Sequence, residues 1–237
     1  MKKVLHKGKD RGVAEHGWLH TRFSFSFAQY YNPEMMGFGA LRVLNDDTIE
    51  PLFGFPDHPH NNMEIVSIIV SGEITHKDSA GGEGVVKEGE VQVMSAGTGV
   101  VHSEYNKHSK KLLQLFQIWI LPKEQNIQPR YDQKKFSAEG RGNKFQLIVS
   151  GDEKDKNALY IHQDAFIYLI DLENGKKISC DLTKKGNGIY VLLVEGDVVV
   201  ENERLEKRDA LGIWDTNKIE ITAEENSKLI LFEVPMK

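Results

Sequence analysis

Two short stretches carry the residues best suited to chemistry. "FPDHPHNNMEI" at 55–65 holds His58 and His60, and "TGVVHSEYN" at 98–106 holds His102 and Glu104. On a β-strand, side chains at i and i+2 share a face, about 6.6 Å apart along the chain. His58 and His60 would point together with Pro59 turned away, and His102 and Glu104 would do the same around Ser103. Proline gives no donor to a sheet ladder, so the first pair belongs at a strand end or an edge. If the two strands face each other across a barrel, three imidazoles and a carboxylate converge. Such donors suit iron, nickel, copper, manganese or zinc. A six-coordinate metal would keep two open positions, whereas a tetrahedral zinc would be saturated and structural. The bland reading is surface or hydrogen-bonding histidines. Two such pairs among only nine histidines, each preceded by turn residues, weigh against coincidence.

The elements around these pairs read as strands. "EIVSIIV" (64–70), "EITHKDS" (73–79), "GVVK", "EVQVM" (90–94) and "VVHSEY" (100–105) are short apolar-rich runs divided by glycine-containing turns. Val- and Ile-rich runs at that spacing predict antiparallel hairpins. "KLLQLFQIWILP" (111–122) predicts a longer strand closed by Pro122, and no segment sustains a helical period. The fold class expected is all-β. A polar, charged stretch at 123–144 predicts a linker or crossover. Beyond it the layout returns: "IYVLLVEGDVVVE" (189–201) echoes 65–77, and "KLILFEVP" (228–235) echoes the strand that ends at Pro122. This weak repeat predicts two similar β domains, 1–122 and 145–237. The second has lysine and glycine around "TKKGNG" (183–188) where the first has its paired histidines, and "NKIEIT" (217–222) in place of "HSE". It is expected to bind no metal.

Composition narrows the function. The 237 residues carry 40% hydrophobic and 27% charged residues with a net charge of −5, ordinary for a globular protein and unfavourable for direct nucleic-acid binding. The single cysteine, Cys180, cannot form an internal disulfide. The basic N-terminus has no apolar stretch behind it, and no apolar run approaches a membrane span. A cytoplasmic protein without membrane association, and monomeric, is the expectation.

"GFPDHPHNNME" and "GEITHKDSAGGEGVVKEGEVQVMSAGTGVVHSEYN" resemble the two motif blocks of the pirin family of the cupin superfamily. The opening "HGWLHTRFSFSFAQYYNPEMMGFGALRVLNDDTIEP" is similar to the bacterial pirin-like quercetin 2,3-dioxygenases. The resemblance runs from about residue 10 to the end and is strongest over 16–131. It implies a bicupin, two jelly-roll barrels packed together, with one divalent transition metal in the N-terminal barrel. Carried over by position, the ligands fall on His58, His60, His102 and Glu104. Iron is the first expectation, with nickel, copper, manganese, cobalt and zinc as alternatives. Many cupins instead take their carboxylate from the first motif, which here is Glu64. A straight strand carries Glu64 about 13 Å beyond His60, so the pirin pattern favours Glu104 and leaves Glu64 structural.

The activity this implies is oxidative cleavage of quercetin or a related flavonol by dioxygen, releasing carbon monoxide, with Glu104 as ligand and catalytic base. The alternative is a redox-responsive metal-binding module that docks a protein partner without turnover. Other residues read more simply. His76 is expected as a strand histidine satisfied by neighbours, with support of the metal site as the sharper alternative, and His16 and His20 as structural. Asn106 either bonds to the site or ends its strand. Phe53, Phe55, Met63, Met94 and Phe116 offer an apolar lining, though each fits core packing as well. "KHSKK" (107–111) reads as a solvated loop.

Overall fold

Branched side chains pack well on a pleated surface, and the Val- and Ile-rich runs form strands accordingly. Glycines at positive φ turn the chain between them. Gly72 (φ 83°) joins Glu64–Ser71 to Glu73–Asp78, and Gly196 (φ 97°) joins Asn187–Glu195 to Asp197–Val200. The computed structural model describes residues 1–236. Among them, the only helical segments are the 3-10 turns Gly8–Asp10 and Ala138–Gly140, as the all-β expectation requires. No helix among the described residues is long and apolar enough to cross a membrane.

Four sheets make two sandwiches. The first has a seven-stranded sheet in the order Arg130–Lys135, Glu90–Ser95, Glu64–Ser71, Leu113–Ile120, Leu41–Ile49, Leu19–Phe23, Gly12–Glu15. Facing it are Gly54–His60, Val100–Tyr105, Glu73–Asp78 and Glu83–Lys87. The second half repeats the plan. Lys2–His6, Ala210–Trp214, Asn187–Glu195, Ser227–Pro235, Phe166–Leu172, Gln146–Ser150 and Leu159–Tyr160 form its large sheet. Lys177–Asp181, Lys218–Ala223, Asp197–Val200 and Glu203–Glu206 form the small one. "NKIEIT" does fall on the counterpart of Val100–Tyr105. The counterpart of Gly54–His60, however, is Lys177–Asp181 and not the stretch at 183–188.

Two strands cross the expected boundaries. Lys2–His6 pairs in register with Ala210–Trp214 and so completes the sheet of the second half. Arg130–Lys135, inside the stretch expected as a linker, pairs with Glu90–Ser95 and completes the sheet of the first. Both are outermost strands with charged side chains, held by backbone pairing more than by a buried face, which is why neither shows an apolar pattern.

Alternation along each large sheet sends one set of side chains between the halves and the other into a barrel. Leu44, Val66, Phe116 and Ile118 from the first half meet Ile167, Tyr190, Ile230 and Phe232 from the second in one shared core. The second barrel is filled by one continuous apolar cluster that includes Val191, Leu193, Val198, Ile219 and Leu231. The interior of the first is divided. Leu19, Ile49, Ile74 and Leu115 pack at one end, and Ile65, Met94 and Val100 at the other. Polar side chains occupy the space between.

Candidate metal centre

The strands Gly54–His60 and Val100–Tyr105 run antiparallel with His60 opposite Val100 and His58 opposite His102. The register then shifts, so that Phe55 lies opposite Glu104. A bulge of this kind re-aims side chains, and here it brings the Phe55 ring within 6.3 Å of His58. Gly54 permits the close approach: a Cβ there would collide with the Glu104 carbonyl and the Tyr105 backbone.

His58, His60 and His102 come together, each offering a ligand atom within 4.8 Å of the others. Their ring centroids lie 4.4 to 4.9 Å apart. His58 Nδ1 donates to the Pro56 carbonyl at 2.7 Å, which leaves its Nε2 lone pair free. His102 is buried, and its Nε2 has no hydrogen-bond partner. Burial and the neighbouring His58 hold His60 down at about 4. Burial, with His58, His60 and His76 nearby, takes His102 to about 2. Both are therefore neutral imidazoles at physiological pH, the form that ligates metal.

Glu104 falls in a second group, with His102 and His76, and not in a single group with His58 and His60. It is fully buried and held by a closed ring of hydrogen bonds. Gln92 Nε2 donates to Glu104 Oε1 at 2.5 Å and to Ser67 Oγ at 3.0 Å. Ser67 Oγ donates to Gln117 Oε1 at 3.1 Å, and Gln117 Nε2 donates to Glu104 Oε2 at 2.8 Å. Each carboxylate oxygen keeps a lone pair beyond these bonds. The ring follows from register: Gln117, Ser67 and Gln92 lie opposite one another on adjacent strands and point to one face.

His76 is more than a satisfied strand histidine. Its ring stacks on Tyr131 at 4.4 Å, its Nε2 bonds Asp78 Oδ2 at 2.8 Å, and its Nδ1 lies 3.5 Å from His102 Nδ1. Glu64 belongs to neither metal-capable group; its Oε2 accepts from Ser95 Oγ at 2.7 Å. It shares a strand face with Val66 and Ile68, which pack between the halves. Phe116 lies in that shared core too, Met94 packs with Met63, and Phe53 is exposed. Asn106 ends its strand by donating to the Ile49 and Lys111 carbonyls. His108 is tied within its own loop, its Nδ1 accepting from the Lys110 and Lys111 amides.

On the far side of Phe55 from His58 opens a cavity of about 480 Å3 walled by Trp18, Phe23, Phe27 and Phe55, with His16, Thr21, Asn45 and Asp47 as its polar members. A larger groove of about 720 Å3 runs between the halves past Phe116 and Phe136 and contains none of these histidines. His16, expected as structural, lines this cavity, whereas Thr21, Asn45 and Asp47, like Gln92 and Gln117, carry no mark in the sequence that singles them out. The only signal is a lone polar residue on the inward phase of an apolar strand, as in "LRVLNDDTIE", "EVQVM" and "LFQIW".

The donor chemistry fits a divalent metal: three imidazoles, one with an orphaned buried nitrogen, beside an oriented carboxylate. Comparison with known proteins agrees. Residues 6–120 match the family model described as Pirin, and residues 147–234 match the quercetinase C-terminal cupin domain. The chain is 43% identical over 236 residues to a quercetin 2,3-dioxygenase of Escherichia coli K12, covering 98% of each. It is 44% identical over 222 residues to a pirin-like protein of Caulobacter vibrioides, covering 94% of this chain and 95% of that one. The crystal structure of the Escherichia coli bacterial pirin YhhW in complex with nickel(II) superposes with a TM-score of 0.92 at 41% identity, covering 99% of both chains. With the same paired sandwiches and close identity across nearly its whole length, the chain belongs to the pirin family and is a bicupin.

Proposed function

We propose that the first barrel is a metal-dependent dioxygenase site that cleaves quercetin or a related flavonol, with His58, His60, His102 and Glu104 holding one divalent metal. The observation that carries this is the buried, unpartnered Nε2 of His102, grouped with His58 and His60 next to an aromatic-walled cavity. The names of the relatives and the nickel complex of one of them support the reading. When bound, the metal supplies Lewis acidity and a path for electrons to dioxygen. The protein does the rest. Glu104, oriented by Gln92 and Gln117, takes the proton of the flavonol 3-hydroxyl. Trp18, Phe27 and Phe55 orient the flat ring system and keep water out. Dioxygen adds across the central ring, and one ring carbon leaves as carbon monoxide.

Turnover tests this directly. Metal-stripped protein is reloaded separately with iron, nickel, copper, manganese, cobalt and zinc, and quercetin absorbance is followed in air with carbon monoxide detection. At least one metal gives flavonol loss with carbon monoxide. His58→Ala abolishes it by removing a ligand, and Glu104→Ala abolishes it by removing a ligand and the base together, the base alone being worth about a hundredfold or more. Background decay with every metal, the same in wild type and variants, would remove the dioxygenase reading.

A further inference from the structure

Besides His102 Nε2, unsatisfied buried polar atoms of the first barrel cluster on two neighbouring strands. Thr21 lies opposite Asp47 and Phe23 opposite Asn45 where Leu19–Phe23 pairs with Leu41–Ile49. Thr21, Asn45 and Asp47 are 2%, 4% and 3% exposed, yet Thr21 Oγ1, Asn45 Oδ1 and Asp47 Oδ1 have no hydrogen-bond partner. All three residues line the cavity beside the candidate metal centre. A buried polar group left unpaired costs about 1–3 kcal/mol. Three of them on one wall of one cavity point to a ligand that completes them.

The chemistry of that ligand can be read from the wall. Asn45 Oδ1 and an ionised Asp47 only accept, and Thr21 Oγ1 can do either, so the missing partners are donors. No lysine or arginine lines the cavity, and His16 is its one basic side chain, so a carboxylate or phosphate would meet no fixed positive charge while facing Asp47. The other walls are the rings of Trp18, Phe23, Phe27 and Phe55, which suit a planar aromatic body. Rings that wall the cavity lead toward the histidines. Phe55 packs on His58, while Phe27 contacts Trp119 at 5.3 Å, and Trp119 lies edge-on to His60 at 4.9 Å.

We propose that Thr21, Asn45 and Asp47 form a recognition subsite for phenolic hydroxyl groups on the ligand ring remote from the metal, setting a preference for polyhydroxylated over sparsely hydroxylated aromatics. This rests on the flavonol reading above and adds the specificity-determining residues to it. Burial raises the Asp47 carboxyl to about 7, with Asp46 and Glu104 adding to the rise and the Thr21 hydroxyl, near Asp47 but outside hydrogen-bond geometry, opposing it.

The test is anaerobic binding to nickel-loaded protein, read by tryptophan fluorescence because Trp18 lines the cavity. The probes are quercetin and 3-hydroxyflavone, which keeps the 3-hydroxyl and lacks the others. Wild type binds quercetin about tenfold or more tightly than 3-hydroxyflavone, as one or two hydrogen bonds to buried groups require. Thr21→Val and Asp47→Leu each narrow the ratio, and the double variant brings it near one while 3-hydroxyflavone affinity holds within about threefold. Thr21→Val is nearly isosteric and keeps the test open if Asp47→Leu folds poorly. A wild-type ratio near one, or a ratio unchanged in the variants, overturns the subsite. Selective binding without turnover in air keeps the subsite and removes the dioxygenase. Turnover with no selectivity does the reverse, and no binding of either probe removes both.

Discussion

A histidine ligates metal through whichever ring nitrogen lacks a proton, so the question at His102 is which atom carries its hydrogen. The answer is set two residues away in space. The Asp78 carboxylate only accepts, and its Oδ1 is already engaged by the Ala80 and Gly82 amides. Its Oδ2 therefore takes the Nε2 proton of His76. With Nε2 committed to Asp78, the Nδ1 of His76 serves as the acceptor for His102 Nδ1 at 3.5 Å when it carries no second proton, and the proton between them then belongs to His102. That leaves the lone pair of His102 on Nε2, the atom without a partner in the histidine group. His76→Phe keeps a ring to stack on Tyr131 but removes the acceptor. Metal affinity, measured by competition with a chelating dye, should fall about 10–100-fold, the usual effect of losing a group that orients a ligand. The circular dichroism spectrum should stay as in wild type. Unchanged affinity would mean that His102 keeps its tautomer without His76.

At the scale of elements, each barrel borrows its outermost strand from outside its own run of chain. Lys2–His6 is fastened to the second barrel beyond its backbone ladder. Asp209 is 4% exposed and accepts from Lys7 Nζ at 2.7 Å, from the Gly8 amide at 2.7 Å and from the Glu206 amide at 3.1 Å. Asp209→Ala leaves two backbone donors without acceptors and should cost about 1.5–3 kcal/mol in chemical denaturation. Faster hydrogen exchange over Ala210–Trp214 and unchanged metal affinity are expected with it. Exchange that stays slow there would show the strand to be held by its ladder alone. The same elements mark how far the sequence could be read. Strands such as Glu64–Ser71 and Leu113–Ile120 are legible because a buried face imposes an apolar pattern. "KKVLH" and "RYDQKK" are not, since exposed edge strands need no such pattern and their partners lie far along the chain. The histidine pairs stood out by type and spacing. Gln92, Gln117, Thr21, Asn45 and Asp47 did not, because each is one polar residue whose meaning appears only when register sets it beside others.

The whole molecule is two barrels joined through their large sheets, so a residue on the wrong face of a site strand becomes part of the joint. Glu64 is such a residue: four positions after His60, fully buried, and on the face with Val66 and Ile68 between the halves. Burial raises its carboxyl to about 7 from an ordinary 4.5, with the Ser95 hydroxyl opposing. The folded protein therefore holds a proton that the unfolded chain releases between about pH 4.5 and 7, and this contribution to stability is lost as pH rises through that window. His60 and His102, whose values are lowered, act oppositely and lose stability as pH falls below the ordinary imidazole range. Glu64→Gln isolates the carboxyl, because the histidines and Asp47 are common to both proteins and cancel in the difference. Glutamine resembles the protonated acid and cannot ionise. The variant should thus gain on wild type steadily from pH 5 to pH 8, approaching about 3 kcal/mol in urea denaturation of the metal-free protein. A difference that stays flat across that range would mean that Glu64 is already ionised between the barrels, with the joint supplying more positive charge than Arg130 alone provides.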